Sequence, residues 1–376
     1  MLYDTGLYIH IPFCLQKCSY CDFLSHPACE EEKEAYTNAL LCELEGLKYI
    51  SSDRYLSTIY IGGGTPACLG EKNVNKILSA LPRLFCIDEN AEFTVELNPE
   101  TVTPPLLKML KNNGVNRLSL GVQSFDDEIL KKIGRVHNTV RVLESYAAMR
   151  IAGFENINYD LIFALPDQTE ENFLTSVTNL LKLSPAHLSL YGLQLEHGTP
   201  LYENRKKYTF ADEDTERSMY YKARALLKEH GIYQYEISNF AKPGFESRHN
   251  TRYWDAKEYI GAGAGAASYF HNVRYQNPSD TEKYIRFATH FKPLYKESTP
   301  LTTEEQMSEF AFLGLRKTCG ISLLQFKEKF GKEFSEVFQS AVSKHKNNGL
   351  LCEKNGRLFL SEKGMDLANY VMEDFV

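Results

Sequence analysis

Six short segments rich in β-branched and aromatic residues alternate with helix-like segments, and this alternation limits the possible folds more than any other feature. The strand-like segments are residues 7–11, 57–61, 92–97, 116–122, 156–163 and 187–193. Apolar residues recur at helical spacing between them, in residues 73–85, 106–114, 139–154 and 169–184. Strand–helix units of about 30 residues are typical of parallel sheets. We therefore predict an α/β fold with a partial, TIM-like (βα)6 barrel.

The composition is that of a globular protein that can bury a sizeable core. The chain has 376 residues, of which 43% are hydrophobic and 24% are charged, and its formal net charge is −7. A negative chain has no general attraction to nucleic acid or anionic lipid. No apolar run is long enough to span a membrane, and the N-terminus lacks the pattern of a signal peptide. We expect a cytoplasmic protein.

Polar and glycine-rich motifs follow the predicted strands at the ends where the strands stop. In a β/α barrel, the loops after the strands assemble one pocket at a common mouth. Residues that are far apart in sequence are therefore expected to converge on a single site. They are Cys14, Cys18 and Cys21 after the first strand, GGGTP (62–66) after the second, and then Glu96 and Asn98, Gln123 and Ser124, Asp160, and Gln194 and Glu196.

Three of the nine cysteines, Cys14, Cys18 and Cys21, lie within eight residues. A zinc site normally has four ligands, often from a second C-x-x-C or a histidine pair, which this chain lacks. Ligation of iron–sulfur by thiolates is the better interpretation. Three thiolates leave one iron of a four-iron cube open, and an amino acid such as the methionine end of S-adenosylmethionine can chelate it. The other six cysteines are expected to be buried small hydrophobic residues: Cys29, Cys42, Cys68, Cys86, Cys319 and Cys352.

Three further motifs each allow two interpretations. GGGTP (62–66) is either a simple turn or a place where the backbone approaches a small ligand, because no Cβ intervenes. Glu96 and Asp160 are either satisfied carboxylates at the barrel rim or partners for a ligand that carries a ribose and a sulfonium. GAGAGAAS (261–268) could cradle a phosphate, but it has no P-loop lysine and follows a helix-like segment. We favour a tightly packed turn there.

The combined motifs resemble the radical S-adenosylmethionine superfamily, and within it the coproporphyrinogen-oxidase-like branch. They are Y-x-H-I-P-F-C-x-x-x-C-x-Y-C from Tyr8, then G-G-G-T-P, V-E-L-N-P, G-V-Q-S-F and D-L-I-F-x-L-P, and the match extends over nearly the whole chain. The resemblance implies that Cys14, Cys18 and Cys21 bind a 4Fe-4S cluster and that S-adenosylmethionine chelates the fourth iron. An electron from the cluster would cleave it to methionine and a 5′-deoxyadenosyl radical.

The resemblance also implies a set of S-adenosylmethionine contacts, carried over position by position. Gln194 and Ala267 match through the residues that flank them. The full set is Tyr8, Tyr20, Gly63, Gly64, Thr65, Glu96, Gln123, Arg135, Asp160, Gln194 and Ala267. His10, in the first strand beside the cysteine loop, could orient the site.

Two families within this branch differ in their motifs. HemN, the coproporphyrinogen dehydrogenase, has C-x-x-x-C-x-x-C-x-C and a long N-terminal extension, whereas here Phe23 replaces the last cysteine and little precedes the first motif. HNTRYW (249–254) is an H-N-x-x-Y-W motif typical of the HemW family, which resembles haem chaperones. His249 supplies an imidazole of the kind that ligates haem iron, and Tyr253 and Trp254 could pack on a porphyrin. The alternative for His249 is a hydrogen-bonded loop histidine.

The alternation of strands and helices ends after the barrel, and this change in the sequence pattern predicts a small C-terminal domain. Residues 302–320 and 334–351 are expected to be helical, and residues 352–364 to form a hairpin that turns at Asn355–Gly356. This order is typical of a winged-helix-like α+β domain. Residues 302–376 carry 10 basic and 11 acidic residues, which disfavours DNA binding. We expect a lid or docking module over the barrel mouth.

The chain is thus expected to have three parts: a radical S-adenosylmethionine barrel (1–240), an extension with the HNxxYW motif (241–300) and the winged-helix-like domain (301–376). The favoured function is a HemW-like haem chaperone that binds haem, a 4Fe-4S cluster and S-adenosylmethionine. Its expected partners are a reducing electron donor and a haem-acceptor protein. The alternatives are an oxygen-independent coproporphyrinogen III oxidase-like or other tetrapyrrole-modifying radical enzyme, and a non-catalytic regulator.

Overall fold

The computed structural model describes residues 2–289 and 297–376, so residues 290–296 of the predicted 241–300 extension lie outside the described residues. The strands are β1 (Tyr3–Ile11), β2 (Arg54–Gly63), β3 (Cys86–Leu97), β4 (Arg117–Gln123), β5 (Asn156–Phe163), β6 (His187–Gly192), β7 (Tyr233–Gln234), β8 (Asn239–Ala241), β9 (Tyr259–Ala262), β10 (Ala267–Phe270), β11 (Val273–Gln276), β12 (Glu297–Pro300), β13 (Ile321–Ser322), β14 (Leu351–Lys354) and β15 (Arg357–Leu360). The helices are α1 (Glu30–Ile50), α2 (Glu71–Leu84), α3 (Pro104–Asn112), α4 (Asp127–Lys132), α5 (Thr139–Ile151), α6 (Glu170–Leu181), α7 (Pro200–Glu203), α8 (Glu213–Glu229), α9 (Arg248–Trp254), α10 (Thr281–Ala288), α11 (Thr303–Leu315), α12 (Leu323–Phe330), α13 (Phe334–Val337), α14 (Gln339–Asn347), α15 (Glu362–Asp366) and α16 (Ala368–Glu373).

The predicted parallel core forms the centre of a 12-stranded mixed sheet, in the order β12-β11-β10-β9-β1-β2-β3-β4-β5-β6-β8-β7. Strands β1 to β6 pair in parallel and in chain order. The sheet is flanked by β9, which is parallel to β1, and by antiparallel outer strands. Strands β12 and β7 end the sheet at opposite edges and do not pair with each other, so the barrel is open, as predicted.

Each central strand directs apolar side chains towards the helices and polar side chains into the barrel. In β4, Leu118, Leu120 and Val122 are fully buried in the main hydrophobic core, whereas Arg117 and Ser119 line an internal cavity. The alternation arises because successive side chains of a strand point to opposite faces. The barrel therefore has an apolar shell around a polar interior.

The strands of the core and helices α2, α3, α5 and α6 were predicted, but two long helices and the outer strands were not. Helix α1 has 21 residues and buries Tyr36, Leu40 and Leu44 at a spacing of four, between many exposed glutamates. Helix α8 has 17 residues and a mostly polar surface. The outer strands β7 to β12 have two to four residues each, too few for a period of two to be recognised. None of the described helices is both long and apolar enough to cross a membrane.

Segment 261–268 is a tightly packed turn between β9 and β10, as favoured from its sequence. A Cβ on Gly263, whose φ is +101°, would lie 2.4 Å from the carbonyl oxygen of His10. The N–H of Gly263 donates to the carboxylate of Glu43 (2.8 Å), and the N–H of Ala264 donates to the hydroxyl of Tyr36 (2.9 Å). These N–H groups already have protein partners, so they are not free to bind a phosphate.

The expectation that the scattered cysteines are core residues was wrong for most of them. Of the six, Cys68 is buried and Cys42 is half-buried. The others lie at the ends of elements or on an edge strand, where the side chain reaches solvent. These exposed cysteines are Cys29, Cys86, Cys319 and Cys352.

Helix α9 carries the H-N-x-x-Y-W motif and closes the barrel at the N-terminal ends of β1 to β3. The N–H groups of Arg248 and His249 both donate to the carboxylate of Glu92, at 3.0 Å each. Arg252 donates to the carboxylate of Asp4, near the start of β1, at 2.6 Å. The motif therefore forms a plug at the end of the barrel opposite to the cysteine loop.

His249 is fully buried inside this plug. Its Nδ1 lies 2.9 Å from the hydroxyl of Thr58, its Nε2 lies 2.8 Å from the hydroxyl of Tyr253, and its ring stacks on Tyr60. Burial lowers the pKa of His249 to about 3. Both ring nitrogens have protein partners, so the imidazole is not presented to a haem in this structure.

The C-terminal helices enclose a second hydrophobic core and carry a three-stranded antiparallel sheet in the order β13-β15-β14. Strands β14 and β15 form the predicted hairpin. Asn355 and Gly356 occupy its two-residue turn with φ values of +53° and +70°, which favour Asn and Gly. This arrangement agrees with the predicted winged-helix-like α+β domain.

This domain packs beside the plug and does not cover the barrel mouth. The guanidinium of Arg316 stacks on the ring of Trp254 at 4.3 Å, and Lys317 forms a salt bridge with Asp255. Within the described part of the chain, no residue after Asn250 lines the internal cavity. The predicted lid was wrong, because contacts between segments that are distant in sequence fix the position of the domain.

The buried state of His249 predicts a dependence of stability on pH. Its folded pKa lies below the ordinary value of 6.5, so the unfolded chain binds a proton that the folded chain excludes. The free energy of unfolding should therefore fall as the pH drops from about 6.5 towards 3, by about 1.4 kcal/mol per pH unit for this group. The free energy of unfolding can be measured by urea unfolding of the metal-free chain at several pH values. His249→Gln should make its dependence on pH shallower. His230→Gln, at an exposed position, should leave it unchanged; equal slopes for all three proteins would contradict the prediction.

Candidate cofactor-binding site

An internal cavity of about 500 Å³ lies inside the barrel, a typical volume for a small-molecule site. Residues from all six central strands, or from the loops that follow them, meet there, as predicted from their positions near the strand ends. The predicted site residues that line the cavity are Cys14, Cys18, Tyr20, Cys21, Gly63, Gly64, Thr65, Glu96, Gln123, Arg135, Asp160 and Gln194.

Three predicted contact residues lie outside the cavity lining. Ala267 is exposed at the start of β10, and His249 is in the plug. Tyr8 lies close by, with its hydroxyl 2.8 Å from Nδ1 of His10. The Nε2 of His10 lies 3.0 Å from the carbonyl oxygen of Leu24. His10 therefore ties β1 to the cysteine loop, which agrees with an orienting role.

The three clustered cysteines lie in the loop between β1 and α1, and all are free and half-buried. The N–H of Cys14 donates to the carbonyl of His26 at 3.1 Å, so the two ends of the loop are closed on each other. The N–H of Ser19 donates to the carbonyl of Ile133 at 3.0 Å and anchors the loop to the segment after α4. The thiols are thus held at the mouth by backbone contacts that do not involve the sulfurs.

Arg135 connects the cysteine loop to two strands. Its Nη2 donates to Oδ1 of Asn98 (2.6 Å) and to the carbonyl of Gly121 (2.7 Å), and its Nη1 donates to the sulfur of Cys18 (3.5 Å). Asn98 in turn donates to the hydroxyl of Thr65 at 2.8 Å. The guanidinium is therefore fixed beside a thiol, where its charge stabilises a thiolate.

Glu96 is held against the glycine triplet after β2. It accepts hydrogen bonds from the hydroxyl of Tyr60 (2.6 Å) and from the N–H of Gly63 (3.0 Å). A Cβ on Gly62 would lie 2.5 Å from the carboxyl carbon of Glu96, and Gly63 has a φ of +106°. Burial raises the pKa of Glu96 to about 7. The triplet is therefore required for the approach of this carboxyl group, and it is not a simple turn.

Asp160 lies inside the barrel next to two polar side chains. It accepts hydrogen bonds from Nδ2 of Asn158 (2.8 Å) and from the hydroxyl of Ser119 (3.3 Å). Burial raises the pKa of Asp160. Both carboxyl groups are thus held in fixed orientations and retain acceptor capacity towards the cavity.

Gln123 has a left-handed backbone at the end of β4, with a φ of +68°. The pairing of β4 with β5 shifts register between Gly121 and Gln123. A non-glycine residue in this conformation is uncommon, and such conformations cost about 1–3 kcal/mol. The strain turns the chain at the mouth and brings Gln123 to the cavity wall.

Several polar residues that line the cavity were not predicted: most lie on strands before their C-terminal ends, and Asn250 lies in helix α9. The residues on the strands share a period of two on the inner face, which could have identified them. The pattern is clear in RLSLGVQ (117–123) and HLSLYG (187–192). These residues are Tyr60, Arg117, Ser119, Asn158, Ser189, Tyr191, Asn239 and Asn250.

Comparisons with known proteins agree with this architecture. The family model of the Radical SAM superfamily matches residues 8–180, and that of the HemN C-terminal domain matches residues 301–367. A protein of Bacillus subtilis named "Heme chaperone HemW" is 40% identical over 98% of both chains. A protein of Lactococcus lactis with the same name is 39% identical over 99% of this chain and 97% of its own.

The chain belongs to the HemW family of the radical SAM superfamily. The fold is also that of the solved coproporphyrinogen III oxidase (HemN) from Escherichia coli, with a TM-score of 0.88 over 100% of this chain and 90% of the other. That protein is only 22% identical, so the likeness concerns the fold alone. Membership of the superfamily implies a 4Fe-4S cluster and S-adenosylmethionine.

The residues present fit these two groups. The donor set consists of free thiols in one loop, beside the guanidinium of Arg135. In the described residues, no three His, Cys, Asp or Glu side chains come together as a site for a single metal ion. Such a compact group is not required here, since each thiolate of a cube binds a different iron. The buried Nε of Arg135 and the hydroxyl of Ser19 have no hydrogen-bond partner among the described residues.

Apolar side chains surround the cysteine loop at the mouth. Phe23, at the position of the missing fourth cysteine, is 64% exposed, and Leu15 and Val136 are 57% and 56% exposed. All three also line the cavity. We call these three residues the apolar rim. Large apolar side chains that are exposed together at a cavity mouth are typical of a binding surface.

The contact between Gly62 and Glu96 can be tested by substitution. Gly62→Ala should lower the free energy of unfolding by about 1–3 kcal/mol, because the new Cβ displaces the Glu96 carboxyl group from its partners. Gly46→Ala is the matched control, since Gly46 lies in α1 with no atom near a new Cβ. It should raise stability by up to about 1 kcal/mol. Thermal or urea unfolding measures both, and a Gly62→Ala protein as stable as the wild type would contradict this account of the triplet.

Proposed function

We propose that this chain is a haem chaperone: it binds haem and passes it to an acceptor protein. One observation carries the proposal, namely 40% identity over 98% of both chains to a protein named "Heme chaperone HemW". Phe23 in place of a fourth cysteine and the H-N-x-x-Y-W motif support the same assignment. A soluble reductant or redox protein that supplies electrons to the cluster is the further expected partner.

We assign the cluster to Cys14, Cys18 and Cys21, and S-adenosylmethionine to the cavity beside them. The contacts assigned to S-adenosylmethionine are Tyr20, Gly63, Gly64, Thr65, Glu96, Gln123, Arg135, Asp160 and Gln194. When bound and reduced, the cluster supplies the electron for cleavage of S-adenosylmethionine. Tyr8 keeps an indirect role through His10, and Ala267 is not retained in this set.

The residues of the chain have distinct tasks in this site. Arg135 offsets the negative charge of the cluster thiolates, because its guanidinium is fixed beside Cys18. Glu96 and Asp160 accept hydrogen bonds from hydroxyl groups of the ligand. Burial raises the pKa of both carboxyl groups, and the nearby positive charge of Arg117 opposes this rise. The backbone of the glycine triplet allows a flat ligand group to approach the sheet.

We assign haem to the apolar rim formed by Leu15, Phe23 and Val136. His249 was the candidate haem residue from the sequence, but its imidazole is buried and both ring nitrogens have protein partners. The rim offers the exposed apolar surface that a macrocycle requires, and it adjoins the cavity. Burial of Phe and Leu side chains supplies the main part of the binding free energy.

We also propose that the chain divides into a barrel (1–240), an extension (241–300) and a C-terminal domain (301–376). Two separate hydrophobic cores support a boundary near residue 300. Because the C-terminal domain packs against the plug and not the mouth, it leaves the rim open for an acceptor protein.

The cluster assignment predicts a loss of iron on substitution of one ligand. Anaerobically reconstituted wild-type protein should hold about one cluster, with about four iron and four sulfide per chain. Cys14→Ala should lose most of it while its circular dichroism spectrum is retained. Cys29→Ala, at an exposed cysteine directly before α1 and outside the segment 14–26 that holds the three clustered cysteines, should retain the full content. A complete cluster in Cys14→Ala would contradict the assignment.

The haem assignment predicts different effects at the rim and at the plug. Phe23→Ala should weaken haem binding about 10- to 100-fold, because burial of a Phe side chain contributes about 1.5–3 kcal/mol. Ile151→Ala, at a more exposed apolar position on α5, should have no effect. His249→Gln should leave the Soret band unchanged. Haem titration of the reconstituted protein, with and without S-adenosylmethionine, measures all three.

Activity assays of the same reconstituted protein distinguish a chaperone from a radical enzyme. A chaperone should not convert coproporphyrinogen III to protoporphyrinogen IX, and 5′-deoxyadenosine should not accumulate catalytically with a tetrapyrrole. Clean conversion of the porphyrinogen would overturn the proposed function in favour of an oxidase-like enzyme.

A further inference from the structure

Helix α5 has apolar side chains on two opposite faces, and one of these faces is exposed. Val142 and Met149 lie on the inner face and are fully buried against the barrel. Val140, Leu143 and Ile151 lie on the outer face and are 57%, 46% and 88% exposed. No other helix in the described part of the chain exposes more than one large apolar side chain. Apolar residues on both sides are typical of a helix that is covered on both sides.

We call Val140, Leu143 and Ile151 the α5 stripe. Leu143 and Ile151 follow Val140 by three and eleven residues, which places all three on one side of the helix. Because α5 joins the parallel neighbours β4 and β5, it runs from the mouth towards the opposite end of the barrel. Val136 of the apolar rim lies just before its first turn. The α5 stripe therefore begins beside the rim and extends about 16 Å along the outer wall.

A groove lies between α5 and the neighbouring helix α3, at the far end of the α5 stripe. Its volume is about 660 Å³. Ala147 and Ile151 line it from α5, and Pro104, Lys108 and Lys111 line it from α3. A groove between two helices with an apolar wall is the form of site that receives an amphipathic helix. Its concave shape fits a helix better than the flat surface of a membrane.

The two helices that form the groove are basic, in contrast to the chain as a whole. They carry Lys108, Lys111, Arg141 and Arg150 but only one acidic residue, Glu144, so their net charge is +3. The formal net charge of the whole chain is −7. A second copy of this chain bound through the same face would bring two basic surfaces together. An acidic partner is complementary to this face.

We propose that the α5 stripe and the groove form the docking site of the haem acceptor, which binds there through an acidic amphipathic helix. This inference rests on the proposed function, because it places the acceptor next to the rim to which haem is assigned. A protein that takes haem from the rim must contact the mouth, and the α5 stripe is the exposed apolar surface that leads away from it. Docking there increases the effective concentration of the acceptor beside the haem.

Binding of a designed peptide tests the surface. The probe is a fluorescent helical peptide of about 20 residues, with leucines at i, i+3, i+4 and i+7 and glutamates on its other positions. A version with lysines in place of the glutamates should bind the wild-type protein at least about 10-fold more weakly. Leu143→Ser and Ile151→Ser should each weaken binding of the acidic peptide about 10-fold, and Lys108→Glu should reduce the preference for the acidic version. Tyr49→Ser on α1 and Lys228→Glu on α8 change exposed side chains elsewhere and should have no effect.

A second experiment relates the α5 stripe to haem transfer. The probe acceptor is the apo form of a haem-binding four-helix bundle that is fused to the acidic peptide, and the same bundle without the peptide is the control. Haem bound to the wild-type protein should move to the fused bundle at least about 10-fold faster than to the control bundle. Ile151→Ser should remove this difference while the affinity of the chain for haem is unchanged. The Soret band follows the transfer.

The possible failures can be distinguished. Equal affinity of the acidic peptide for the wild type and Ile151→Ser, or equal transfer to both bundles, would overturn the docking site. Binding to phosphatidylserine vesicles that Ile151→Ser abolishes would assign the surface to a membrane, and a dimer that Ile151→Ser dissociates would assign it to a second copy. A wild-type protein that binds no haem would refute the proposed function, whereas the peptide titration measures the groove without haem.

Discussion

The parallel, in-order pairing of β1 to β6 is the constraint on which the rest of the structure depends. Parallel strands that are neighbours in the sheet end at the same edge, so every loop that follows a strand reaches the same mouth. The same pairing directs alternate side chains inwards. It therefore produces both the ring of cysteines, glycines and carboxyl groups at the mouth and the polar lining below it. Without this pairing of the strands, Cys14 and Asp160 would not line the same cavity.

The sequence alone was sufficient to predict the features that depend on residues close to one another in the chain. The six core strands, the cysteine loop and the hairpin at Asn355–Gly356 follow from short patterns whose physical meaning does not depend on distant residues. The convergence of the site followed from a single rule about strand ends. Most site residues at those ends line the cavity.

Features that depend on pairing between distant segments could not be predicted. His249 sits beside Thr58, 191 positions away, and that contact decides that its imidazole is buried and not available to a haem. Ala267 matched only through its flanking residues, and it lies on an outer strand. The C-terminal domain was expected over the mouth, but the stacking of Arg316 on Trp254 holds it beside the plug. The residues of the H-N-x-x-Y-W motif were thus recognised correctly as one motif. Their role could not be predicted, because it depends on where α9 packs.

The polar side chains inside the barrel lower the stability of the fold, and this cost indicates that the interior binds a ligand. Burial of Asp160, Asn158 and Ser189 is tolerable because their side chains satisfy one another, and the network continues through Asn239 to Glu236. Arg117 is as deeply buried and forms no side-chain hydrogen bond with the described residues, but its positive charge lies near Glu96 and Asp160 and opposes the rise in the pKa of both carboxyl groups. A fold under selection for stability alone would replace it with an apolar residue of similar size. The fold therefore keeps charged and polar side chains inside the barrel at a cost in stability, which is expected of a binding cavity and not of a structural core.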